Sequence, residues 1–225
     1  MRPRHRESAP QVVCFDVGYT LIDETRSWLA WAARLEVSPD RLFATLRETI
    51  ELGDPQPNRR ALQKLRPDLD FESERAAIAG RPGASIFVVD DIYSDARPAL
   101  LQLRAAGFRL GAAGNMVMDS ERVLIRSGLP LDFVGSSERW GVAKPLGEFF
   151  DRIIEVAGAQ PESIVYVGDR ADNDVIPARK AGMRTVLIRR GLWSDVNADK
   201  ARPDASISTL TDLPAVLEHW LSPTH

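Results

Sequence analysis

Cysteine is nearly absent from this 225-residue chain, where Cys14 stands alone. One thiol excludes an internal disulfide and a cysteine-rich metal site. Cys14 lies inside the apolar run Val12-Val13-Cys14-Phe15, the place of a buried inert thiol rather than of a nucleophile. Long apolar runs are lacking as well. No stretch approaches the roughly 20 residues of a membrane helix, so no membrane partner is expected. Neither charge sign is in excess: 29 Lys and Arg against 32 Asp and Glu give a formal net charge of −3. That balance removes the electrostatic case for nucleic acid or an anionic membrane surface. The basic start MRPRHRESAPQ is followed by no apolar h-region. It is therefore expected to be a disordered tail over residues 1–10, not a secretory signal, and a reducing cytoplasm is the expected compartment. Internal repeats and low-complexity blocks are also missing.

What is there is the profile of an ordinary soluble globular protein, 44% hydrophobic and 27% charged. The length suits one large domain, or a domain with an insertion. Short apolar runs at 12–15, 110–113, 133–134, 164–167 and 186–188, and a weaker one at 205–207, are predicted strands. Most are continuous rather than alternating, which suits a parallel sheet covered on both faces. Helical patterns at 96–106, 120–127, 149–157 and 173–181 lie between them. Each is closed by a glycine, Gly107, Gly128, Gly158 or Gly182, the usual C-terminal stop. The alternation predicts an α/β fold with a doubly wound, Rossmann-like parallel sheet. Residues 25–81 break the pattern. Helical stretches at 28–35, 40–52, 59–65 and 72–78 are separated by proline-rich connections such as Asp54-Pro55-Gln56-Pro57, and the next strand is expected only at 86–89. The simplest organisation is a core of residues 11–24 and 90–225, carrying a small helical insertion of residues 25–89 after the first strand.

Active sites of open α/β sheets form outside the carboxyl ends of the strands. Asp16 follows the first apolar run, Gly114-Asn115 the second, and GDRADND, with Asp169, Asp172 and Asp174, follows the run at 164–167. Between them, WGVAKPLGEFF offers Lys144. Convergence of Asp16, Asp169 and Asp174 requires a cation to offset their repulsion. Oxygen ligands with no His or Cys nearby favour a hard ion, Mg²⁺ first, which usually shares a substrate phosphate. Such an ion, with Lys144, lets an anionic carboxylate attack an anionic phosphoryl group.

FDVGYTLID, GNM after a strand, GVAKP and VGDRADNDVIPARKAGM together resemble the four motifs of the haloacid dehalogenase (HAD) superfamily of hydrolases, over residues 12 to about 190. The resemblance implies that Asp16 is a nucleophile forming an aspartyl-phosphate. It also implies that Asp16, the Gly18 carbonyl and Asp169 hold Mg²⁺, that Asp174 ligates the ion or orients its water, and that Lys144 bridges nucleophile and phosphoryl group. Thr20 would support the loop and the nucleophile. Gly114 and Asn115 occupy the phosphate-contacting position, and the helical insertion matches a cap domain. The implied partner is a small phosphorylated molecule, bound by a monomer or homodimer.

Two positions depart from the phosphatase pattern. In DxDxT the second Asp protonates the leaving group; here the motif reads Asp16-Val17-Gly18-Tyr19-Thr20. The Ser or Thr of the second motif is Gly114, and no hydroxyl occurs from residue 110 to 118. A general acid contributes ~10²–10⁴-fold, and a hydrogen bond to a charged group about 1.5–3 kcal/mol. A backbone N–H of Gly114 or Asn115 remains available for a phosphate. Alternatives stay open: a scaffold with reduced chemistry and a binding or regulatory role, or a dehalogenase- or phosphonatase-type hydrolase. The latter uses a cap lysine, and Lys64 is the only lysine of the insertion, although its run Arg59-Arg60…Lys64…Arg66 reads as a solvated face. Asp23 is expected to cap the helix that follows it, Asp172 to be a solvated loop carboxylate, and Trp28 and Trp31 to pack within the insertion or between it and the core.

Overall fold

Strand β1 (Val12–Phe15) is buried at all four residues, and an apolar run with no polar face is stable only at the centre of a doubly covered sheet. The computed structural model, which describes residues 10–54, 56–196 and 198–222, places it there. Beyond Pro10, the expected tail lies outside the described residues. The other strands are β2 (Arg109–Gly114), β3 (Phe133–Ser136), β4 (Ile164–Gly168), β5 (Arg184–Ile188) and β6 (Ala205–Ile207). They pair in the order β3-β2-β1-β4-β5-β6, parallel throughout. The chain reverses direction across the sheet between β1 and β4, and the crevice at their carboxyl ends is where such sheets bind ligands.

Strand periodicity of two sends alternate β1 side chains to opposite faces. Val13 and Phe15 join Leu100, Leu103, Leu124, Leu213 and Leu217 in one core. Val12 and Cys14 join Phe149, Phe150, Ile153 and Tyr166 in the other. The first face is covered by α5 (Ala96–Ala105), α6 (Met118–Arg126) and the C-terminal helix Leu213–Leu221. The second is covered chiefly by helix Gly147–Ala157.

The insertion holds four helices, α1 (Thr25–Leu35), α2 (Pro39–Glu51), α3 (Pro57–Leu65) and α4 (Phe71–Ala79). Ser38 starts α2 by accepting the Arg41 N–H at 3.3 Å, with Pro39 in the first turn. The four helices build a core of their own from Trp28, Trp31, Leu42, Leu46, Ile50 and Leu62. Trp31 stacks on Phe71 with ring centres 5.3 Å apart. Trp193, from the segment after β5, joins this cluster, so Trp28 and Trp31 pack as expected.

Two elements differ from expectation. Residues 86–89 form no strand; they lead into a single 3-10 turn, Val89–Asp91. Val88 and Val89 are exposed and no strand among the described residues pairs with them, so an apolar run alone is not enough without a partner. The helix expected over 173–181 is split into a π-helical turn, Ala171–Val175, and a short α-helix, Ile176–Lys180.

Aromatic rings lie against two strand glycines. An added Cβ at Gly111 would stand 2.0 Å from the Phe133 ring, and one at Gly135 would stand 1.9 Å from the Trp140 ring. Gly135→Ala is therefore expected to destabilise the fold by ~1–3 kcal/mol through overpacking, lowering the urea midpoint. An unchanged midpoint would mean that the Trp140 ring does not sit over this strand.

Candidate active site

Asp16 is the first residue past β1, and its N–H donates to the Val167 carbonyl at 2.8 Å. The chain then folds back on itself. The N–H groups of Leu21 and Ile22 donate to the Val17 carbonyl at 2.9 Å, and that of Tyr19 to the Ile22 carbonyl at 2.7 Å. Tyr19 takes a left-handed conformation, φ 48°, with its ring edge-on to Trp193 at 6.1 Å. This tight loop returns Glu24 to the side of Gly18.

Lys144 reaches the loop from the segment before helix Gly147–Ala157. Its ammonium donates to Asp16 Oδ1 at 2.5 Å and to Asp174 Oδ1 at 2.6 Å. All three side chains are buried. Asn115 holds the lysine's backbone from both ends: Nδ2 donates to the Lys144 carbonyl at 3.0 Å, and Oδ1 accepts the Lys144 N–H at 2.8 Å. Asp174 is turned inward by the π-helical turn, and the Arg170 N–H donates to its Oδ2 at 2.9 Å. Gly168 leaves the room that Asp174 fills, since an added Cβ would stand 2.5 Å from that side chain.

Asp16, Asp169 and Asp174 each offer an oxygen within 4.8 Å of the others. Asp169 Oδ2 is buried with no hydrogen-bond partner among the described residues. A buried carboxylate oxygen without a donor is costly, and two carboxylates beside it add repulsion. One hard cation among the three relieves both, so the residues fit Mg²⁺.

The protonation equilibria report the same crowding. Burial, then Asp174 and Asp16, raise the Asp169 pKa well above the ordinary value. Asp174 is raised to about 6 by burial, against the opposing Lys144, with Asp16 adding to the rise. Burial alone would lower the Lys144 pKa, but Asp16 and Asp174 overcome it and hold the ammonium charged. Glu24 is raised to about 7 by burial and then by Asp16.

The cleft over these groups is about 110 Å³ and is lined among others by Asp16, Gly18, Glu24, Asn58, Lys144 and Asp169. A larger cleft of about 520 Å³ opens at the amino ends of the strands, but none of its lining residues is a carboxylate, and the candidate chemistry is not there.

The structure thus brings Asp16, Gly18, Asn115, Lys144, Asp169 and Asp174 to one place. It treats two expected site residues differently. Gly114 does not line the cleft; an added Cβ there would press on Val17 at 3.1 Å and on Asp16 Oδ1 at 3.3 Å, so close packing at the strand ends explains the glycine. Thr20 is fully buried and its hydroxyl has no hydrogen-bond partner among the described residues; it braces the loop through its carbonyl, which accepts from Arg190. The Asn115 amide is occupied by the Lys144 backbone. Asp23 Oδ1 accepts the Thr25 N–H at 2.9 Å, as a helix start needs. Asp172 pairs with Arg170, and Lys64 pairs with the exposed Glu48 at 3.0 Å, away from the cleft.

Glu24, Asn58, Arg170 and Asn173 line the cleft without having been singled out as site residues. Asn58 comes from the insertion, and its Oδ1 is buried without a partner among the described residues. Only the foldback of the first loop and the placement of α3 bring Glu24 and Asn58 here, and neither is encoded in a motif.

The chain matches the sequence model of the haloacid dehalogenase-like hydrolases over residues 10–182. It belongs to that family. The glyceraldehyde 3-phosphate phosphatase of Methanopyrus kandleri is 33% identical over 90% of this chain and 95% of its own. Two crystal structures share the fold: a HAD phosphatase from Thermococcus onnurineus (TM-score 0.59, 24% identity, 92% of this chain and 97% of that one), and a 2-haloacid dehalogenase from Pseudomonas syringae pv. Tomato DC3000 (TM-score 0.59, 24% identity, 94% and 99%). One fold thus carries a phosphatase and a dehalogenase, and the side chains must decide between them. The protein is a hydrolase of this family, and no helix among the described residues is long and apolar enough to cross a membrane.

The raised carboxyl pKa values set a pH dependence. The folded state takes up protons at Glu24 and Asp174 at a pH where the unfolded chain has lost them, so their contribution is fully present below about pH 4 and is lost as pH rises through about 6 and 7. In EDTA the melting temperature is therefore expected to fall as pH is raised from 5.5 to 8. Mg²⁺ should flatten the trend. A metal-free melting temperature that climbs over this range would contradict the assignment.

Proposed function

We propose that this hydrolase is a Mg²⁺-dependent phosphatase acting on a small phosphorylated metabolite, with an aspartyl-phosphate intermediate on Asp16. The observation that carries the reading is Asp169, a third buried carboxylate with an unpartnered oxygen beside Asp16 and Asp174. Dehalogenation by a carboxylate nucleophile needs no metal, whereas three buried carboxylates converging beside a single lysine call for a cation. The phosphatase name of the Methanopyrus relative supports the same choice.

In this reading Asp16 Oδ attacks phosphorus as the bond to the leaving oxygen breaks, and water later cleaves the acyl phosphate. Lys144 holds the nucleophile in position and offsets its charge. Asp16, the Gly18 carbonyl, Asp169 and Asp174 would hold the ion, which when bound supplies electrostatic stabilisation to the phosphoryl oxygens. Asn115 is a positioning residue, since it touches Lys144 through the backbone on both sides. Residues 25–89 serve as a cap on the core of 11–24 and 90–225. Asn58 faces the substrate from that cap, and closure excludes water. A cleft of about 110 Å³, below the ~300–1,000 Å³ usual for larger ligands, suits a compact metabolite.

Asp16→Asn is expected to abolish turnover in a phosphomonoester screen, because an amide is a poor nucleophile. Mg²⁺ should raise the wild-type melting temperature, by ~2.7 kcal/mol of stabilisation at 100 times its dissociation constant, and Asp169→Asn should shrink the shift. Full activity in Asp16→Asn, or no thermal shift at high millimolar Mg²⁺, would overturn the reading.

A further inference from the structure

The second carboxylate that the first motif lacks at position 18 has a physical counterpart six residues on. A Cβ built on Gly18 would stand 2.6 Å from both Cδ and Oε1 of Glu24 and 3.0 Å from Oε2. An Asp side chain at 18 and the Glu24 carboxyl thus compete for one volume, and the protein fills it with Glu24. That carboxyl lines the same cleft as Asp16, Lys144 and Asp169.

Its orientation is built. Glu24 is the residue before α1, yet its side chain makes no capping bond to the helix; Asp23 takes the Thr25 N–H instead. The Trp28 indole N–H, one helical turn on, donates to Oε2 at 3.4 Å, and the Trp28 ring is fixed edge-on to Trp193 at 6.1 Å. The loop hydrogen bonds of Tyr19, Leu21 and Ile22 return the residue to Gly18. Glycine at 18 and glutamate at 24 are therefore two halves of one arrangement: the first must be small for the second to enter.

We infer that Glu24 is the general acid and base of this site, supplying from the foot of the insertion the proton that the first motif cannot. The assignment rests on the phosphatase reading above. In the first step Asp16 Oδ forms its bond to phosphorus while the bond from phosphorus to the leaving oxygen breaks. That oxygen keeps the electron pair and takes the Glu24 proton, leaving as an alcohol. In the second step the Glu24 carboxylate removes a proton from water as the water oxygen bonds to phosphorus. The bond from phosphorus to Asp16 then breaks, releasing phosphate and restoring both carboxyl groups.

Leaving-group dependence tests this directly. Initial rates with Mg²⁺ are compared for alkyl and aryl phosphomonoesters of graded leaving-group basicity, in wild type, Glu24→Gln, Gly18→Asp and the double variant Gly18→Asp/Glu24→Ala. Melting curves check that each is folded. Wild type should show a shallow dependence, because the departing oxygen is protonated. Glu24→Gln keeps the shape and the Trp28 contact but cannot donate; it should lose ~10²–10⁴-fold on alkyl esters and far less on aryl esters, steepening the slope. Gly18→Asp alone should lose activity, since its side chain meets Glu24. The double variant should recover alkyl ester hydrolysis over both Glu24→Gln and Gly18→Asp, a rescue that a merely structural Glu24 would not give. Alkyl rates in folded Glu24→Gln within threefold of wild type, with Asp16→Asn inactive, would overturn the assignment and leave the phosphatase reading standing. Should Glu24→Gln not fold, a double variant that is folded but no faster on alkyl esters than Gly18→Asp overturns it equally. A wild type that hydrolyses no phosphoester removes the phosphatase reading and this assignment together.

Discussion

The Lys144 ammonium between Asp16 and Asp174 is the contact on which the rest of the site depends. Both carboxylates are buried, Asp16 at the end of β1 and Asp174 in the π-helical turn beyond β4, where an unpaired charge costs several kcal/mol. One ammonium faces three acidic groups, Asp16, Asp169 and Asp174, so the lysine alone leaves the cluster anionic. That residual charge is what a divalent cation and a phosphoryl group would share. The neighbouring sequence serves this contact. Asn115 grips the lysine's backbone, Gly168 clears space for Asp174, and the π-helical turn carries Asp174 inward.

The sheet and the carboxylates were legible because their signals are local. Most strands are built on a continuous apolar run, and Asp16 and Asp169 stand immediately after two strands. The insertion was legible from its helical periods and prolines. What could not be read depends on tertiary placement. The run at 86–89 looks like a strand, but nothing lies beside it to pair with. The split at residues 171–181 is an exception: Pro177, in the first turn of the second piece, marks it in the sequence, because proline has no N–H to donate to the carbonyl of residue 173. Gly114 is a glycine because of how closely β2 approaches Asp16, a distance no one-dimensional pattern holds. Glu24 lies in a loop, and its meaning comes from the foldback that sets it against Gly18.

That foldback is itself held from afar. Arg190, just past β5, donates to the carbonyls of Tyr19 and Thr20, pairs with Asp95 at 2.8 Å and lies over the Tyr93 ring at 3.9 Å. The two connections to the insertion run side by side there. The Tyr93 N–H donates to the Leu21 carbonyl at 3.0 Å, the Asp23 N–H to the Asp91 carbonyl at 2.8 Å, and Arg26 pairs with Asp91. The loop bearing Gly18 and the foot of α1 are thus fastened to the same bracket as the far linker, which is why a carboxylate from outside the first motif can be held at a fixed place in the cleft.

The position of β1 has a kinetic consequence. Among the described residues β1 is the first strand, it lies at the centre of the sheet, and its partners begin at Arg109 and Ile164. During synthesis from the amino terminus, β1 emerges long before either partner exists, whereas the helices of the insertion find their contacts among near neighbours. Sheets assembled from such distant pairings fold slowly, and an unpaired apolar strand is the kind of surface that aggregates or recruits chaperones. Asp16 is therefore made early and set late: it has no Val167 carbonyl to bond until β4 has docked beside β1.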